Sequence, residues 1–485
     1  MNTPRDETSN DSRPAAPDEP IKPAGRPLAV IVLAAGLGTR MKSDLPKLLH
    51  PVCGRPMLAY VLDAVAGVWP ERTVVVTAPT HDAVAAILPE GVERAVQTEQ
   101  RGTGDAAAAG LAALGGFAGD VVILYGDHPL MTSTFVERLI AAHRASGAGG
   151  TLTSQTFDPG HYGRVVRDED GRLTGIVEYR DATAEQRTIT ETNVGAYVFA
   201  ADALRRALPR LRSDNDQGEY YLTDVIGLLL ADGAEVAVYG TDDRGVTQGV
   251  NSRVELALVA AEVRRRLLEG LMLSGVTIVD PESTYVDWGV EVGRDAVIQP
   301  QTHLLGATRV GSACEIGPGS VLRDVTVGAG ARVVQSHVQG CEVGPGATVG
   351  PFSYLRPGTV LDHDTKAGAF VEIKNSHVGR GSKVPHLSYI GDTEIGAGTN
   401  IGAGTITANY DGYRKHRTTI GDGVRTGSDT CLVAPVTVGD DAFTGAGSVI
   451  TKDVPAGALG IARGRQQNVE GYAERRLREH DGQAP

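Results

Sequence analysis

A six-residue repeat in the second half of the chain restricts the possible folds more than any other feature. Its aliphatic residues stand six positions apart, at Val292, Ile298, Leu304, Val310 and Ile316. The period continues after one slip at Val321, Val327 and Val333, and after another at Val343 and Val349. A fixed short period predicts a solenoid, in which each coil contacts only its neighbours and the coils bury one continuous core.

Glycine follows many of these aliphatic residues, as in Val292-Gly293 and Val310-Gly311. We expect each six-residue side to be a short strand with its aliphatic side chain inward, and the glycine to give the backbone freedom to turn the corner. Irregular glycine-rich loops are the alternative, but five aliphatic residues in strict register disfavour them.

The sequence before the repeat alternates between two other patterns. Apolar runs predict buried strands over 28–36, 72–78 and 121–125, and apolar residues at helical spacing predict helices over 57–68 and 105–114. Strands that alternate with helices indicate an α/β domain with a mostly parallel sheet covered on both faces. Its ligand should lie at the C-terminal ends of the strands.

These patterns divide the 485 residues into segments. We predict a disordered tail at 1–26, an α/β domain at 27–251, a linker at 252–275, a repeat domain at 276–465 and a C-terminal tail at 466–485. The linker should be helical over 252–273, where apolar residues keep helical spacing without proline. Residues 473–485 resemble 1–26, and we expect both stretches to bury too little apolar surface to become ordered.

Charge and composition exclude some classes of function. A net charge of −13 makes the chain a poor general binder of nucleic acid. No apolar stretch is long enough to span a membrane, and no secretory signal is visible. The four cysteines, Cys53, Cys314, Cys341 and Cys431, lack the spacing of a zinc site, and we interpret them as thiols of a cytoplasmic protein.

The segment LAAGLGTRM, residues 33–41, is the first candidate for chemistry. Gly36 and Gly38 allow the backbone to approach a phosphate chain closely, and N–H groups near a helix start can hold that anion. Arg40 and Lys47 add two cations. A plain strand-to-helix turn is the alternative for the loop alone, and the pair of cations favours a phosphate site.

Asp127 follows a predicted strand, in the sequence Tyr125-Gly126-Asp127. A carboxylate at the C-terminal end of a parallel strand is suited to hold the Mg²⁺ that accompanies a nucleotide. For an isolated Asp, a cap on the following helix is an equal alternative.

The repeat contains the second candidate. Its period breaks near 406–420, and insertions in a solenoid become loops on one face, often the binding face. The inserted segment is basic and polar, and His386 lies nearby in sequence. Taken alone, a solvated basic surface is the simpler interpretation of this loop.

Together the motifs resemble the sugar-nucleotide pyrophosphorylases. Over 27–472 they resemble the bifunctional family that joins an N-acetylglucosamine-1-phosphate uridyltransferase to a glucosamine-1-phosphate acetyltransferase with hexapeptide repeats, and QGEYYLTD at 217–224 also fits. The resemblance implies a Rossmann-like α/β domain followed by a left-handed parallel β-helix, although the general crossover rule favours the opposite hand. It further implies a homotrimer that uses UTP, acetyl-CoA and Mg²⁺.

The resemblance assigns residues of the first domain to uridylyl transfer. Arg40 and Lys47 are the catalytic cations, and Asp127 and Asn251 are the metal ligands. The positions that match contacts to nucleotide and amino sugar are Leu33, Ala34, Ala35, Gly36, Lys47, Gln97, Gly102, Thr103, Tyr125, Gly126, Asp127, Gly163, Glu178, Asn193 and Asn251. Among these, Gln97 and the run 100–103 match the segment that recognises uracil.

For acetyl transfer, the resemblance makes His386 the general base and Glu372 the carboxylate that orients it. The residues assigned to the sugar phosphate and its amine are Arg356, Lys374, Tyr389, Asn400 and Lys415. The residues assigned to acetyl-CoA are Ala403, Asn409, Tyr410, Ser428, Ala446 and Arg463. A base is needed because an ammonium cannot attack a thioester, and the ordinary histidine pKa of about 6.5 suits this role.

The implied function is the synthesis of UDP-N-acetylglucosamine for peptidoglycan and cell-envelope polysaccharides. The second domain acetylates glucosamine-1-phosphate, and the first transfers uridylyl from UTP to N-acetylglucosamine-1-phosphate and releases pyrophosphate. This direct displacement needs positioning and charge neutralisation but no covalent intermediate. Three alternatives stay open: a first domain that uses GTP or ATP, an inactive or regulatory β-helix, and a repeat that serves only as an oligomerisation stalk.

Overall fold

The computed structural model describes residues 25–157, 160, 162–243, 245–246 and 248–482. The tail predicted for 1–26 lies outside the described residues except for its last two positions. The described chain divides into two compact units, one containing 25–51 and 56–259 and the other containing 52–55 and 260–482. None of the helices in these ranges has both the length and the apolarity needed to cross a bilayer.

Nine strands form the sheet of the first unit. In chain order they are β1 Leu28–Ala34, β2 Arg72–Thr77, β3 Val92–Val96, β4 Asp120–Tyr125, β5 Gly150–Thr156, β6 Arg164–Arg167, β7 Leu173–Val177, β8 Glu191–Ala200 and β9 Val236–Gly240. The main path runs β9-β5-β8-β4-β1-β2-β3, with β6 paired to β8 and β7 to β6. Neighbours on this path are parallel except that β8 is antiparallel to β4 and β5, which confirms a mostly parallel sheet.

Helices cover this sheet. They are α1 Met57–Ala66, α2 Asp82–Ala85, α3 Thr103–Ala113, α4 Ser133–Ser146, α5 Ala201–Ala207, α6 Asp224–Ala231 and α7 Arg253–Leu273, of which α7 runs across the boundary between the units. The shorter elements are the 3-10 turns Thr39–Met41, Lys47–Leu49, Gln186–Thr188, Leu208–Arg210 and Pro281–Ser283 and the strand pair Pro51–Val52 and Arg55–Pro56. The strands and helices predicted from the apolar patterns are therefore present, with end points that differ by a few residues.

The central strands explain why their sequences are continuous apolar runs. All seven residues of β1 are buried. Helix α3 packs against β1, and helices α1 and α4 pack against each other. The contact with α3 is close: a Cβ placed on Gly110 would lie 2.5 Å from Cγ2 of Ile31. A larger residue at this helix position would push α3 away from β1.

The second unit is a left-handed parallel β-helix whose coils have three faces. Face 1 contains the strands Thr277–Ile278, Val297–Ile298, Glu315–Ile316, Arg332–Val333, Thr348–Val349, Lys366–Ala369 and Lys383–His386, continued by bridges at Asn400 and Arg425 to Phe443–Thr444 and Leu459–Gly460. Face 2 contains Tyr285–Val286, His303–Leu305, Val321–Arg323, His337–Gln339, Tyr354–Leu355, Glu372–Lys374, Tyr389–Gly391, Ile406–Ala408, Cys431–Val433 and Val449–Ile450. Face 3 contains Glu291–Val292, Arg309–Val310, Thr326–Val327, Glu342–Val343, Val360–Leu361, His377–Val378, Thr393–Ile395, Thr418–Ile420 and Val436–Val438.

The aliphatic side chains of the repeat form the core of this β-helix, as the period predicts. Ile298, Leu304 and Ile316 are fully buried, and Val310 is nearly so. The predicted position of the first slip is wrong, however. Leu322 is the next inward residue and Val321 is partly exposed, so the period shortens only between Leu322 and Val327, where the chain turns a corner with one residue fewer.

The glycine after the inward aliphatic serves a different purpose from the one predicted. Gly293 and Gly311 have ordinary negative φ, so neither needs the left-handed freedom of glycine. Instead, a Cβ on Gly311 would lie 2.7 Å from the backbone nitrogen of Ala329 in the next coil. Glycine is therefore required there because successive coils stack too closely for a side chain.

The C-terminal segment differs from its prediction. Disorder is expected over 473–485, but Tyr472–Asp481 forms helix α8, none of whose residues is buried. Ion pairs at helical spacing, Arg478 with Glu474 at 3.6 Å and Arg476 with Glu479 at 3.3 Å, support this helix.

Candidate active sites

Two cavities of the first unit meet at the C-terminal end of β4. The first has a volume of about 430 Å³. The residues that line it are Leu33, Ala34, Ala35, Gly36, Leu37, Gly38, Thr39, Lys47, Leu48, Gln97, Gln100, Gly102, Thr103, Ala106, Tyr125, Asp127 and Glu219. Most of the residues assigned to the nucleotide thus surround one space. Gly126 is not among them; its backbone N–H donates to the Leu33 carbonyl at 2.9 Å and so ties β4 to the loop.

The second cavity, of about 540 Å³, contains the residues assigned to the amino sugar. Its lining consists of Arg40, Thr103, Tyr125, Asp127, His128, Tyr162, Gly163, Glu178, Asn193, Val194, Gly195, Gln217, Glu219, Tyr221, Gly249, Asn251 and Glu255. Thr103, Tyr125, Asp127 and Glu219 line both cavities. A ligand with a nucleotide part and a sugar part would pass Asp127 where the two spaces meet.

Lys47 lies between the two predicted metal ligands. Its ammonium donates to Oδ2 of Asp127 and, at 3.2 Å, to Oδ1 of Asn251. Burial by itself would raise the pKa of Asp127, but the charges of Lys47 and His128, together with the hydrogen bonds that the carboxylate accepts, outweigh burial and the net pKa is lowered. The Asp127 carboxylate therefore stays ionised. Its Oδ2 and the Oδ1 of Asn251 are placed to face one cation.

This donor set fits Mg²⁺ held partly by substrate. Carboxylate and amide oxygens are the ligands that Mg²⁺ takes, usually one or two from the protein with the rest from phosphates and water. Among the residues that the structure describes, no group of three or more His, Cys, Asp or Glu could hold a metal by itself. Asp127 and Asn251 would supply two ligands, and phosphate oxygens the others.

The segment matched to uracil recognition is held rigidly. Both hydrogens of the Gln97 amide are committed, one to the Gly102 carbonyl at 3.0 Å and one to Asp105 at 2.9 Å, so the amide presents its oxygen as the free group. Gly102 has φ 112°, and a Cβ there would lie 2.5 Å from the Tyr220 carbonyl oxygen. The backbone of Tyr220, in the QGEYYLTD motif, closes this contact by donating to the Arg101 carbonyl at 2.7 Å.

The far end of the second cavity is polar and incompletely paired. Glu178 accepts a hydrogen bond from the Thr223 hydroxyl at 3.1 Å, and burial raises the pKa of its carboxyl. Asn193 donates to the Tyr197 hydroxyl at 2.6 Å, while its buried Oδ1 has no partner among the residues that the structure describes. Buried polar atoms are normally paired, so an unpaired acceptor in a cavity suits a hydroxyl or amide group of a ligand.

Several lining residues were absent from the sequence assignments, and the charged or titratable ones include Glu219, His128 and Glu255. Glu219 lies in the QGEYYLTD motif, and His128 directly follows Asp127, so position in a motif was an available signal for both. The signal for Glu255 is the pattern Ser252-x-x-Glu255, which marks a helix start rather than a site.

In the second unit, the inserted loop spans 409–417, between Ile406–Ala408 of face 2 and Thr418–Ile420 of face 3. Both ends rest on carboxylates of the coil beneath: the Asn409 amide donates to Asp392, and Arg417 pairs with Glu394 at 2.8 Å. Within the loop, Asp411 accepts backbone N–H groups of Arg414 and Tyr413 and pairs with His416 at 2.7 Å. These bonds lower the pKa of Asp411 to about 2.

The anchor at Glu394 includes a histidine with two acidic neighbours. Nδ1 of His377 bonds the Glu394 carboxylate, and Nε2 lies 3.1 Å from Oδ2 of Asp362. Since carboxylates accept but do not donate, only the doubly protonated imidazolium can satisfy both. Although partial burial opposes the charge, the bonds to Glu394 and Asp362 raise the pKa of His377.

We expect the stabilisation by His377 to depend on pH. A folded-state pKa above the unfolded value gives a contribution that is complete below about pH 6.5 and is lost as pH rises through the folded pKa. His377→Ala should lower thermal stability at pH 6 by about 0.2–1 kcal/mol, the range for exposed ion pairs, and by less at pH 9. His363→Ala, at an exposed neighbour without these bonds, is the control; equal losses at both pH values would contradict the prediction.

Some of the residues assigned to acetyl transfer lie close together beside the inserted loop. This is the corner between faces 2 and 3, which we call corner B. Lys374 lies 3.7 Å from Asp392, and its positive charge lowers the pKa of Lys415. A Cβ on Gly391 would lie 2.5 Å from the Tyr389 hydroxyl and 2.7 Å from Nδ2 of Asn409, so both groups point to the same place. Two adjacent ammonium groups that share one carboxylate leave a net positive charge, which is suited to an anion.

A second group lies at the corner between faces 1 and 2, here corner A. His386 ends a face 1 strand, and its carbonyl accepts the Gly404 N–H at 3.3 Å, next to Ala403 on the following coil. Asp429 N–H donates to Ala403 at 2.7 Å, and Gly447 N–H donates to Ser428 at 2.8 Å, so Ala403, Ser428 and Ala446 form a column on successive coils. Arg463 is exposed just beyond the last strand of face 1, and exposed Asn400 is the bridge residue of that face.

The structure does not pair Glu372 with His386. Glu372 lies on face 2 and binds Arg356 at 2.9 Å, and His386 has no side-chain partner within the described part of the chain. The single chain thus places His386 beside the column of Ala403, Ser428 and Ala446. It places Lys374 beside Lys415, Tyr389 and Asn409. It keeps these two groups on opposite edges of face 2.

The fold and these residues define a two-domain transferase, with nucleotidyl transfer in the α/β unit and acyl transfer in the β-helix. Residues 30–226 match the MobA-like NTP transferase domain, and 417–452 match six repeats of the bacterial transferase hexapeptide.

Curated relatives named bifunctional protein GlmU are similar over nearly the whole chain. The protein of Mycolicibacterium gilvum is 54% identical over 457 residues, 92% of each chain. That of Mycolicibacterium vanbaalenii is 52% identical over 460 residues, 93% of this chain and 94% of its own. That of Mycobacterium bovis is 50% identical over 457 residues, 92% of each chain.

The chain belongs to the GlmU family, which confirms the resemblance found from its motifs. It is a bifunctional enzyme of UDP-N-acetylglucosamine synthesis, with uridyltransferase and glucosamine-1-phosphate acetyltransferase activities. The β-helix is therefore an enzyme domain rather than an inactive stalk.

Proposed function

We propose that residues 27–251 catalyse uridylyl transfer with the groups that surround the two cavities. UTP would occupy the first cavity, with its base at Gln97 and the segment 100–103 and its phosphates at the backbone of Ala34, Ala35 and Gly36. N-acetylglucosamine-1-phosphate would occupy the second, with its amide and hydroxyl groups at Glu178 and Asn193. The observation that carries this proposal is the junction of both cavities at Asp127.

We propose that Asp127 and Asn251 hold Mg²⁺. When bound, the cation would neutralise negative charge on the phosphates of UTP. Lys47 lines the first cavity and Arg40 the second, so both would supply further positive charge, and neither has to form a covalent bond to substrate. Rigid placement of these groups allows the sugar-phosphate oxygen to attack in line while pyrophosphate leaves.

We propose that residues 276–465 catalyse acetyl transfer with His386 as the base. Lys374, Lys415 and Arg356 would bind the phosphate of glucosamine-1-phosphate, and Tyr389 and Asn400 would contact the sugar near its amine. His386 would accept a proton from the ammonium, and the neutral amine would attack the thioester of acetyl-CoA. Acetyl-CoA would lie along the column of corner A, with Arg463 near one end and with Asn409 and Tyr410 contributed by corner B of a neighbouring copy.

We propose that the acetyltransferase is a homotrimer, because one chain does not complete the site. His386 and the column lie at corner A, while the cationic cluster and the loop with Tyr410 lie at corner B. A neighbouring copy could bring its corner B to this corner A, where Phe352 and Phe370 stack as exposed rings at 5.4 Å. Sedimentation equilibrium should give three chains per particle; a monomer with full acetyl transfer would contradict the proposal.

The test of the whole function supplies purified protein with glucosamine-1-phosphate, acetyl-CoA, UTP and Mg²⁺. Release of both CoA and pyrophosphate, with UDP-N-acetylglucosamine formed, is expected. Replacing UTP by GTP or ATP should stop pyrophosphate release without affecting CoA release. Pyrophosphate released only from pre-acetylated sugar would contradict the acetyltransferase assignment.

We place the enzyme in the cytoplasm, where both co-substrates are available, and its product would supply peptidoglycan and cell-envelope polysaccharides.

A further inference from the structure

The first turn of α7 contains a carboxylate, Glu255, to which the roles above assign nothing. One of its oxygens, Oε2, accepts the backbone N–H of Asn251 at 2.7 Å, the N–H of Ser252 at 2.8 Å and the Ser252 hydroxyl at 3.1 Å. Glu255 also lines the second cavity beside Asn251. A partly buried carboxylate is therefore bonded to the backbone of a proposed metal ligand.

Helix capping accounts for only part of this arrangement. In a capping box, the side chain at the third helical position accepts the N–H of the cap residue, while the cap side chain accepts in return. Ser252 and Glu255 satisfy both halves, since Glu255 N–H donates to the Ser252 hydroxyl at 3.3 Å. Asn251 precedes the cap and lies outside the helix, so the bond to its N–H adds nothing to the helix and instead restrains the preceding loop.

The same loop is tied to the other proposed ligand. Val250 N–H donates to the backbone carbonyl of Asp127 at 2.9 Å. The segment 250–252 is thus held on one side by Asp127 and on the other by Glu255. Bonds to an ionised carboxylate are stronger than neutral ones, so Glu255 restrains the backbone of Asn251 more firmly than a neutral side chain would.

We propose that Glu255 is a positioning residue that fixes Asn251 so that its amide oxygen and the Asp127 carboxylate face one cation. This inference rests on the proposed function, in which Asn251 is a metal ligand. Groups that orient metal ligands typically change metal affinity by about 10–100-fold when removed. Loss of Glu255 should therefore weaken metal binding although Glu255 itself does not touch the metal.

The test compares Glu255→Ala with two matched variants of the same turn. Glu255→Gln keeps an oxygen acceptor for Asn251, and Ser252→Ala removes the cap hydroxyl but leaves the bond between Glu255 and the Asn251 backbone. Each protein is measured for Mn²⁺ binding in the presence of UTP by electron paramagnetic resonance, for the Mg²⁺ concentration that half-saturates uridylyl transfer, and for amide hydrogen exchange over 251–252. Acetyl transfer of the same preparation reports the folded state of the β-helix.

Glu255→Ala should weaken Mn²⁺ binding and raise the half-saturating Mg²⁺ concentration by about 10-fold, with faster exchange at 251–252. Glu255→Gln should restore most of the affinity, and Ser252→Ala should lower only thermal stability. Equal loss of metal affinity in Ser252→Ala and Glu255→Ala would mean that Glu255 acts only through the helix cap, and would overturn the inference.

The remaining outcomes separate this inference from the function on which it rests. If Glu255→Ala binds Mn²⁺ normally while Asp127→Ala does not, the positioning role is wrong and the proposed metal site stands. If Asp127→Ala also binds Mn²⁺ normally in the presence of UTP, the metal site itself is wrong, and the role of Glu255 is overturned with it.

Discussion

Replacing Asp127 with alanine is expected to abolish uridylyl transfer and to leave acetyl transfer intact. The carboxylate lies at the junction of the two cavities, next to Lys47 and Asn251, so its removal takes away the one anionic ligand proposed for Mg²⁺. The loss also leaves the Lys47 ammonium without its carboxylate partner and only the Asn251 amide oxygen as acceptor. The β-helix is a separate compact unit, and none of the residues that we propose for acetyl transfer belongs to the α/β unit.

The measurement follows pyrophosphate release from UTP and N-acetylglucosamine-1-phosphate and CoA release from acetyl-CoA and glucosamine-1-phosphate, with one preparation. Asp127→Asn is the matched variant, because it keeps the shape of the side chain and removes its charge. We expect it to be nearly as inactive in uridylyl transfer as Asp127→Ala. Retention of both activities by either variant would show that the metal assignment is wrong.

Replacing His386 with alanine is expected to slow acetyl transfer by about two to four orders of magnitude, the usual effect of losing a general base. The amine of glucosamine-1-phosphate would then have to lose its proton to water before attacking the thioester. The defect should therefore shrink at high pH, where more of the amine is neutral, and uridylyl transfer should be unchanged. His363→Ala, at an exposed histidine on a neighbouring coil, is the control.

A rate close to that of the unchanged protein would remove His386 from the mechanism. A loss that is the same at every pH would instead indicate that His386 only positions substrate. The pH dependence therefore separates chemistry at the imidazole from packing at corner A, which a single rate constant does not.

The sequence predicts the β-helix well because every coil repeats one local pattern. The inward register of Ile298, Leu304 and Ile316 follows from spacing alone. The slip after Leu322 does not, because the length of a corner depends on how two faces join rather than on which residues are aliphatic. Nor does spacing explain Gly311, whose lack of a side chain reflects the distance to the next coil, a contact between residues far apart in sequence.

The sites divide in the same way. The LAAGLGTRM segment and Asp127 lie at the ends of strands, so local sequence is enough to suggest both as candidate sites. The neighbouring charges of Lys374 and Lys415, the bond between Glu372 and Arg356, and the contact of Glu255 with Asn251 all depend on how distant segments are brought together. The expected pairing of Glu372 with His386 lacks support in a single chain because the two residues lie on different faces.

The position of the acetyltransferase residues along the solenoid also bears on how the enzyme is made. They run from Arg356 to Arg463, in the second half of the solenoid, and each coil gains its hydrogen bonds and core only from the coils before and after it. During synthesis the α/β unit can fold as soon as it is complete, since domains fold in order as the chain emerges. A chain cut before the final coils would therefore keep the whole α/β unit but lack residues that we propose for acetyl transfer, such as Arg463.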